Sequence, residues 1–190
     1  DQSARPAFVA ADLLAQAEHS EDAQVVLVTT SRAVAEACIA EVDRQLEQLP
    51  RRAIAARSIA ESRVLLVPDL ATAMDVSNRY APEHLILQIA APRDWLGRVR
   101  NAGSVFLGAW TPETMGDYCS GTNHVLPTLR SARFSSGLGV LDFMKRSTFL
   151  GCDADRLARL GPPAVTLAEA EGLQAHARSI SVRLTAPPAL

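Results

Sequence analysis

Four short stretches of this sequence gather side chains that can bind a cation or move a proton, and together they hold every histidine in the chain. Gln16 and His19 stand three residues apart, a spacing that puts both on one face of a helix. Glu83 and His84 are adjacent, directly after Pro82. Asp117, Asn123 and His124 lie within Gly116-Asp-Tyr-Cys-Ser-Gly-Thr-Asn-His124, and Glu171 and His176 lie near the carboxy end. Imidazole mixed with carboxylate and amide oxygen suits a borderline metal such as zinc, with a further Glu or His placed to act as a base.

Each stretch also has a plainer reading. A histidine at a helix end often caps it or sits in solvent. Glu-His fits an exposed turn, a Gly/Asp/Ser/Asn run fits a loop, and Glu171 with His176 fits the polar face of an amphipathic helix. Only as a set do they point to chemistry. Two other features are set aside. Gly137-Leu-Gly139 neither follows a strand pattern nor opens a helical one, as a dinucleotide fingerprint must. Cys119 beside Ser120 has no sequence neighbour that would lower a thiol pKa, so an incidental thiol is the better reading.

The elements that must position these groups alternate along the chain. Pro6 to His19 reads as a helix opened by proline. Gln24-Val-Val-Leu-Val-Thr-Thr30 is a short apolar run of the kind found in buried parallel strands. Ser31 is placed to cap a long helix ending near Leu49-Pro50, and Arg51 to Ser62 continues as a second helical piece. Strands are expected at Arg63–Val67, His84–Ile89 and Ser104–Leu107, with helices at Leu70–Tyr80 and Pro92–Asn101, the latter closed by Gly103. That alternation predicts an α/β fold: an open, mostly parallel sheet with helices on both faces, an incomplete Rossmann-like arrangement. It occupies residues 1–138, carrying most of the candidate groups. From Thr111 to residue 139 periodicity fades into a long Gly/Ser/Thr/Asn-rich loop, of a length that is usually functional or disordered. Residues 139–190 form a mainly helical tail, with a break expected at Gly161-Pro162-Pro163 and a last helix, Ala164 to about Ile180, carrying Glu171 and His176.

Composition bounds the rest. The 190 residues are 48% hydrophobic and 21% charged with a net charge of −2, the balance of a globular protein and not of a nucleic-acid or anionic-membrane binder. No apolar run reaches bilayer length and no signal segment opens the chain. Three scattered cysteines fit a reduced, cytoplasmic setting. The first residue is Asp1, and a helical pattern begins almost at once, so a piece of a longer protein is expected.

Several blocks resemble the histidinol dehydrogenase family. They are Phe8-Val-Ala-Ala-Asp-Leu-Leu-Ala-Gln-Ala-Glu-His19, Tyr80-Ala-Pro-Glu-His-Leu85, Asn101-Ala-Gly-Ser-Val-Phe-Leu-Gly108 and Gly116-Asp-Tyr-Cys-Ser-Gly-Thr-Asn-His-Val-Leu-Pro-Thr128. Leu141-Asp-Phe-Met-Lys-Arg146 and Leu173-Gln-Ala-His176 continue the match in order. The resemblance implies that Gln16, His19, Asp117 and His176 are zinc ligands that also bring substrate to the site. It implies that Glu83 and His84 are the proton-accepting pair, and that His124, Glu171 and His84 contact L-histidinol. The implied activity is oxidation of L-histidinol through the aldehyde to L-histidine with two NAD and a water, the close of histidine biosynthesis. Members of that family carry a further amino-terminal half with the nicotinamide contacts and a substrate serine, so no NAD-binding residue is expected in these 190 residues. The implied partners are that half and a second subunit in a homodimer with exchanged tails.

Two other classes stay open on the residues alone: a zinc hydrolase with Glu83 as base, and a non-catalytic α/β interaction module. One topological tension is also visible. Glu83-His84 and the end of the first helix lie toward strand amino ends, whereas Asp117 follows a strand's carboxyl end. For Gln16, His19 and Asp117 to converge, either the chain after Thr111 crosses back over the domain or strand 104–107 runs antiparallel.

Overall fold

The computed structural model describes residues 1–185, which divide into two compact units, Asp1–Phe143 and the chain from Met144 onward. The division falls after Phe143, where the sequence reading places it after residue 138.

In the first unit four short strands alternate with helices. Helix α1 (Pro6–Ala17) opens on proline, which is already fixed at helical φ and has no amide to leave unsatisfied. Its buried positions Val9, Ala10, Leu14 and Ala17 follow a helical period and form one stripe. That stripe packs on Val34, Cys38 and Val42 of α2 (Arg32–Leu46) and on Ala55 of α3 (Arg52–Glu61). Ser31 caps α2 as its sequence position suggests, its hydroxyl accepting from Val34 N at 3.3 Å. Asp69 does the same for α4 (Leu70–Tyr80), accepting from Thr72 N at 2.7 Å. That backbone bond favours the ionised carboxylate and holds Asp69 below its usual pKa.

The strands are β1 (Val26–Thr29), β2 (Arg63–Leu66), β3 (His84–Leu87) and β4 (Ser104–Leu107). All pairing is parallel, and no sheet closes on itself. The ladders come as two pairs, β1 with β2 and β3 with β4. The open parallel α/β architecture stands, while the antiparallel alternative for residues 104–107 does not: Ser104 pairs with His84 and Leu107 with Leu87 in parallel register.

Two local expectations also change. Pro92–Arg98 winds as a 3-10 helix and ends at an extended Val99, so Gly103 caps nothing. Gly103 is required instead by close approach: a Cβ there would lie 2.6 Å from the Glu83 carbonyl oxygen and 2.9 Å from Pro127 Cδ. Within the long loop, Thr114–Tyr118 forms a five-residue helix, α5, and Ser131–Arg133 and Val140–Phe143 form single 3-10 turns.

The second unit is a helical hairpin of α6 (Ala154–Ala170) and α7 (Gln174–Leu184). The break expected at Gly161-Pro162-Pro163 is absent, because α6 runs through it. The prolines remove two amide donors yet keep helical φ. Gly161 lies where a side chain would meet Ile180 Cγ2 at 3.1 Å and Leu184 Cδ2 at 3.1 Å, so α7 packs directly across this point. The chain reverses later, at Gly172. With φ of +75 it closes α6 by paired bonds, Gly172 N to Glu169 O at 2.9 Å and Leu173 N to Ala168 O at 2.8 Å. Among the described residues no helix is long and apolar enough to cross a membrane.

Candidate functional site

The entry to β3 is set by how α4 ends. Ala81 closes α4 in the left-handed region (φ 57, ψ 65), its N–H bonding Ser77 O at 2.8 Å, and Pro82 then directs the chain outward. Glu83 is thereby placed just before β3 and His84 at its first position. Both are half-buried, and the Glu83 carbonyl is fixed by Ser104 N at 2.8 Å. Asn78 clamps the approach: its Oδ1 accepts from Arg100 N at 2.8 Å, and its own carbonyl accepts from Asn101 Nδ2 at 2.8 Å.

His84 has two neighbours that sequence reading did not single out in this role. The Phe106 ring of β4 packs on the imidazole with centroids 5.9 Å apart. Glu113, from the residue that precedes α5, brings Oε2 to 3.5 Å from His84 Nδ1, and both side chains are nearly excluded from solvent, at 8% and 13% exposed. The chain leaving β4 thus doubles back toward the start of β3. Gly116 makes this packing feasible, since a Cβ there would fall 2.8 Å from Phe106 Cε1.

Glu113 is one of several carboxyls in this region. Burial pushes its pKa up to about 7, and the nearby Asp117, Asp12 and Glu83 carboxylates add to the rise. Asp12, on α1, is raised to about 6 by burial, opposed by a bond from Gln88 Nε2 at 3.1 Å. Glu113 lies outside the family-like blocks, and Asp12, inside the first of them, is not singled out there. Their only signal is spacing: Asp12 precedes Gln16, and Glu113 precedes Asp117, by one helical turn. Glu113 is thus raised by burial and by three neighbouring carboxylates, whereas Asp12 is raised by burial alone.

The expected zinc ligands are less gathered. Gln16 is half-buried near the end of α1, and His19 is exposed just beyond it, its N–H bonding Gln16 O at 3.2 Å. Asp117 is exposed on α5. His176 is exposed in the first turn of α7, in the second unit. Among the described residues no three His, Cys, Asp or Glu side chains stand close enough together to hold a metal. His124 is exposed in the loop after α5, held there by Asn123, whose Oδ1 accepts from Val125 N at 2.9 Å. Glu171 and His176 do not share a helix as expected: Glu171 caps α6, and the Gly172 reversal places His176 on α7. Cys38 is a buried core thiol, and Cys119 and Cys152 are exposed and free.

Parallel strand pairs with helices packed on them, and a Glu-His dipeptide at the entry to one strand, define an α/β protein. A family model described as histidinol dehydrogenase matches residues 1–184, and the chain belongs to that family. Histidinol dehydrogenase of Xylella fastidiosa (strain 9a5c) is 52% identical over 188 residues, covering 99% of this chain and 44% of the relative. That of Nitrobacter winogradskyi is 54% identical over 185 residues, 97% of this chain and 43% of the relative. A crystal structure of histidinol dehydrogenase from Elizabethkingia anophelis matches with a TM-score of 0.79 and 44% identity, over 97% of this chain and 42% of that one. The chain therefore spans less than half the length of the relatives it matches.

Proposed function

We propose that this chain is the zinc-binding and acid–base half of a cytoplasmic histidinol dehydrogenase, which oxidises L-histidinol through the aldehyde to L-histidine at the end of histidine biosynthesis. The observation that carries the reading is the placement of Glu83-His84: a base pair held by the β3–β4 ladder, backed by Phe106 and Glu113, in a chain of this family.

Gln16, His19, Asp117 and the partner subunit's His176 would hold zinc, with the tail exchanged in a homodimer. Bound there, zinc would supply positive charge that fixes the substrate's amine and imidazole nitrogens. His84 takes the hydroxyl proton as hydride departs to NAD. At the aldehyde stage Glu83 draws a proton from water, so that a second hydride can leave and a carboxylate forms. His124 and the partner subunit's Glu171 orient histidinol, and the hydrophobic Phe106 wall keeps the imidazole in place. The NAD site lies in the amino-terminal half that the relatives carry, so this chain alone should not turn over.

The test mixes purified chain, zinc, histidinol and NAD and follows NADH absorbance. Silence that is relieved by adding the amino-terminal half of a relative supports the reading. Steady turnover by the chain alone places the nicotinamide site wrongly, and silence with both halves present removes the assignment. A zinc hydrolase would instead release product without NAD.

A further inference from the structure

We propose that Glu113 is a positioning residue that fixes the tautomer and orientation of His84. The proposal rests on the dehydrogenase reading for its catalytic consequence, but on geometry alone for the contact. Glu113 precedes α5 at the position from which a side chain ordinarily caps a helix, yet it makes no capping bond. Its backbone carbonyl serves the turn, accepting from Gly116 N at 2.7 Å, while the side chain turns inward until Oε2 lies 3.5 Å from His84 Nδ1. The residue is only 6% exposed. A carboxylate removed from water needs a partner, and His84 is the one within ion-pair reach.

Above its pKa of about 7 Glu113 is ionised and, facing Nδ1, can only accept, so in that form it holds the imidazole proton on Nδ1 and leaves the Nε2 lone pair free. Phe106 packs on one side of the ring and narrows the orientations open to the imidazole. In the oxidation step the substrate O–H breaks with its proton going to Nε2. The carbon–hydrogen bond breaks with its electron pair leaving as hydride to an oxidised nicotinamide, and the C=O bond forms. The imidazolium so created lies against the Glu113 carboxylate, which stabilises it as the orienting acid of a nucleophile–histidine–carboxylate triad does. Without Glu113 the ring favours its Nε2–H tautomer, which presents a donor where an acceptor is needed.

The test is made in the intact protein with Glu113→Gln, Glu113→Asp, His84→Asn and the double variant. Glu113→Gln should lower kcat by about 10- to 100-fold, the range for partners that orient a functional histidine, with KM for histidinol changed less than about threefold. Glu113→Asp should recover part of that loss. In the His84→Asn background the Glu113→Gln change should have no further effect, since its target is gone. The ring nitrogen shifts of ¹⁵N-labelled histidine should show a bare Nε2 on His84 in the parent and a protonated Nε2 in Glu113→Gln. Unaltered shifts and kcat in Glu113→Gln overturn the proposal, as do additive losses in the double variant. Should Glu113→Gln fail to fold, the parent decides alone: a protonated Nε2 on His84 in the parent overturns the proposal. If the parent, supplied with the amino-terminal half, leaves histidinol untouched, the functional reading falls, and the nitrogen shifts alone still judge the Glu113–His84 contact.

Discussion

The carbonyl oxygen of Glu83 sits 2.6 Å from where a Cβ on residue 103 would be, so the start of β3 is locked against the turn into β4 through a glycine. Pro127 Cδ closes the other side at 2.9 Å, and Gly103 N donates to Pro82 O at 3.0 Å. All of these neighbours are backbone or a rigid ring, so none can yield cheaply. Gly103→Ala should destabilise the protein by about 1–3 kcal/mol, the usual penalty of overpacking, as measured by chemical denaturation. Because the displaced atom belongs to Glu83, activity in the folded fraction should fall as well. A variant with parent-like stability would show that the β3–β4 entry is looser than the structure has it.

A similar lock operates one layer deeper. Gly116 lets α5 lie on Phe106, and Phe106 in turn backs His84. Gly116→Ala should destabilise by about 1–3 kcal/mol through overpacking, and Phe106→Ala by about 3–5 kcal/mol through the cavity it leaves. Combined, the two should cost less than their sum, because the methyl added at residue 116 enters the space vacated at 106. Strict additivity in denaturation midpoints would mean that the two side chains do not meet.

The pKa of Asp12 gives a pH test. Its folded value, about 6, lies above the ordinary 3.8, so the ionised form is disfavoured by folding. The penalty is absent at pH below the ordinary value, grows as pH rises through the window between the two values, and is complete above the higher one. Asp12→Asn keeps an oxygen for Gln88 Nε2 and removes the charge. With metal chelated, the variant should exceed the parent in stability by roughly 1 kcal/mol near pH 7.5, after allowance for solvent screening of a half-exposed group. The gap should close near pH 3.5. A constant gap across that range in thermal melts would reject the charge as its cause.

What the sequence revealed, and what it did not, separates along physical lines. Strand positions and one helix cap were legible because they depend on neighbours: the apolar run before Ser31, the Ser31 cap and the Leu70–Tyr80 helix appear where local chemistry places them. Gly103 was misread because a close approach from Pro127, far along the chain, is invisible to local pattern. Gly161-Pro162-Pro163 was misread for the same reason, since packing against Ile180 and Leu184 overrides the local breaker. At the site Glu83-His84 stood out as a dipeptide. Glu113 became visible only when the parallel β4 and the returning chain set it against His84.

The hairpin offers a prediction on that override. A methyl at residue 161 would meet the ends of Ile180 and Leu184 at 3.1 Å, and those are flexible side-chain tips. Alanine gains roughly 1 kcal/mol of helix propensity over glycine, which offsets the crowding. Gly161→Ala should therefore change stability little, whereas Gly161→Leu should force α6 and α7 apart. Far-ultraviolet circular dichroism during thermal melting would show the difference, and equal melting of both variants would mean that α7 does not cross α6 at this point.

The zinc assignment makes the sharpest distinction among the histidines. His19, His176 and Asp117 are proposed as ligands, whereas His124 is proposed to contact substrate only. All four are exposed in the structure, so none has a role in the core that would confuse the outcome. Replacement by Asn keeps polarity and similar volume while removing the imidazole nitrogen or the carboxylate charge that favours a borderline cation. His19→Asn, His176→Asn and Asp117→Asn should each weaken zinc binding by at least ~10-fold, the loss that removal of even an outlying partner produces. His124→Asn should leave zinc affinity intact and raise KM for histidinol. Competition against a chromophoric chelator gives the affinities directly and does not depend on turnover. Equal weakening by His124→Asn would move it into the ligand set, and an unaffected His176→Asn would remove the tail from the site and with it the reason for exchanging tails between subunits.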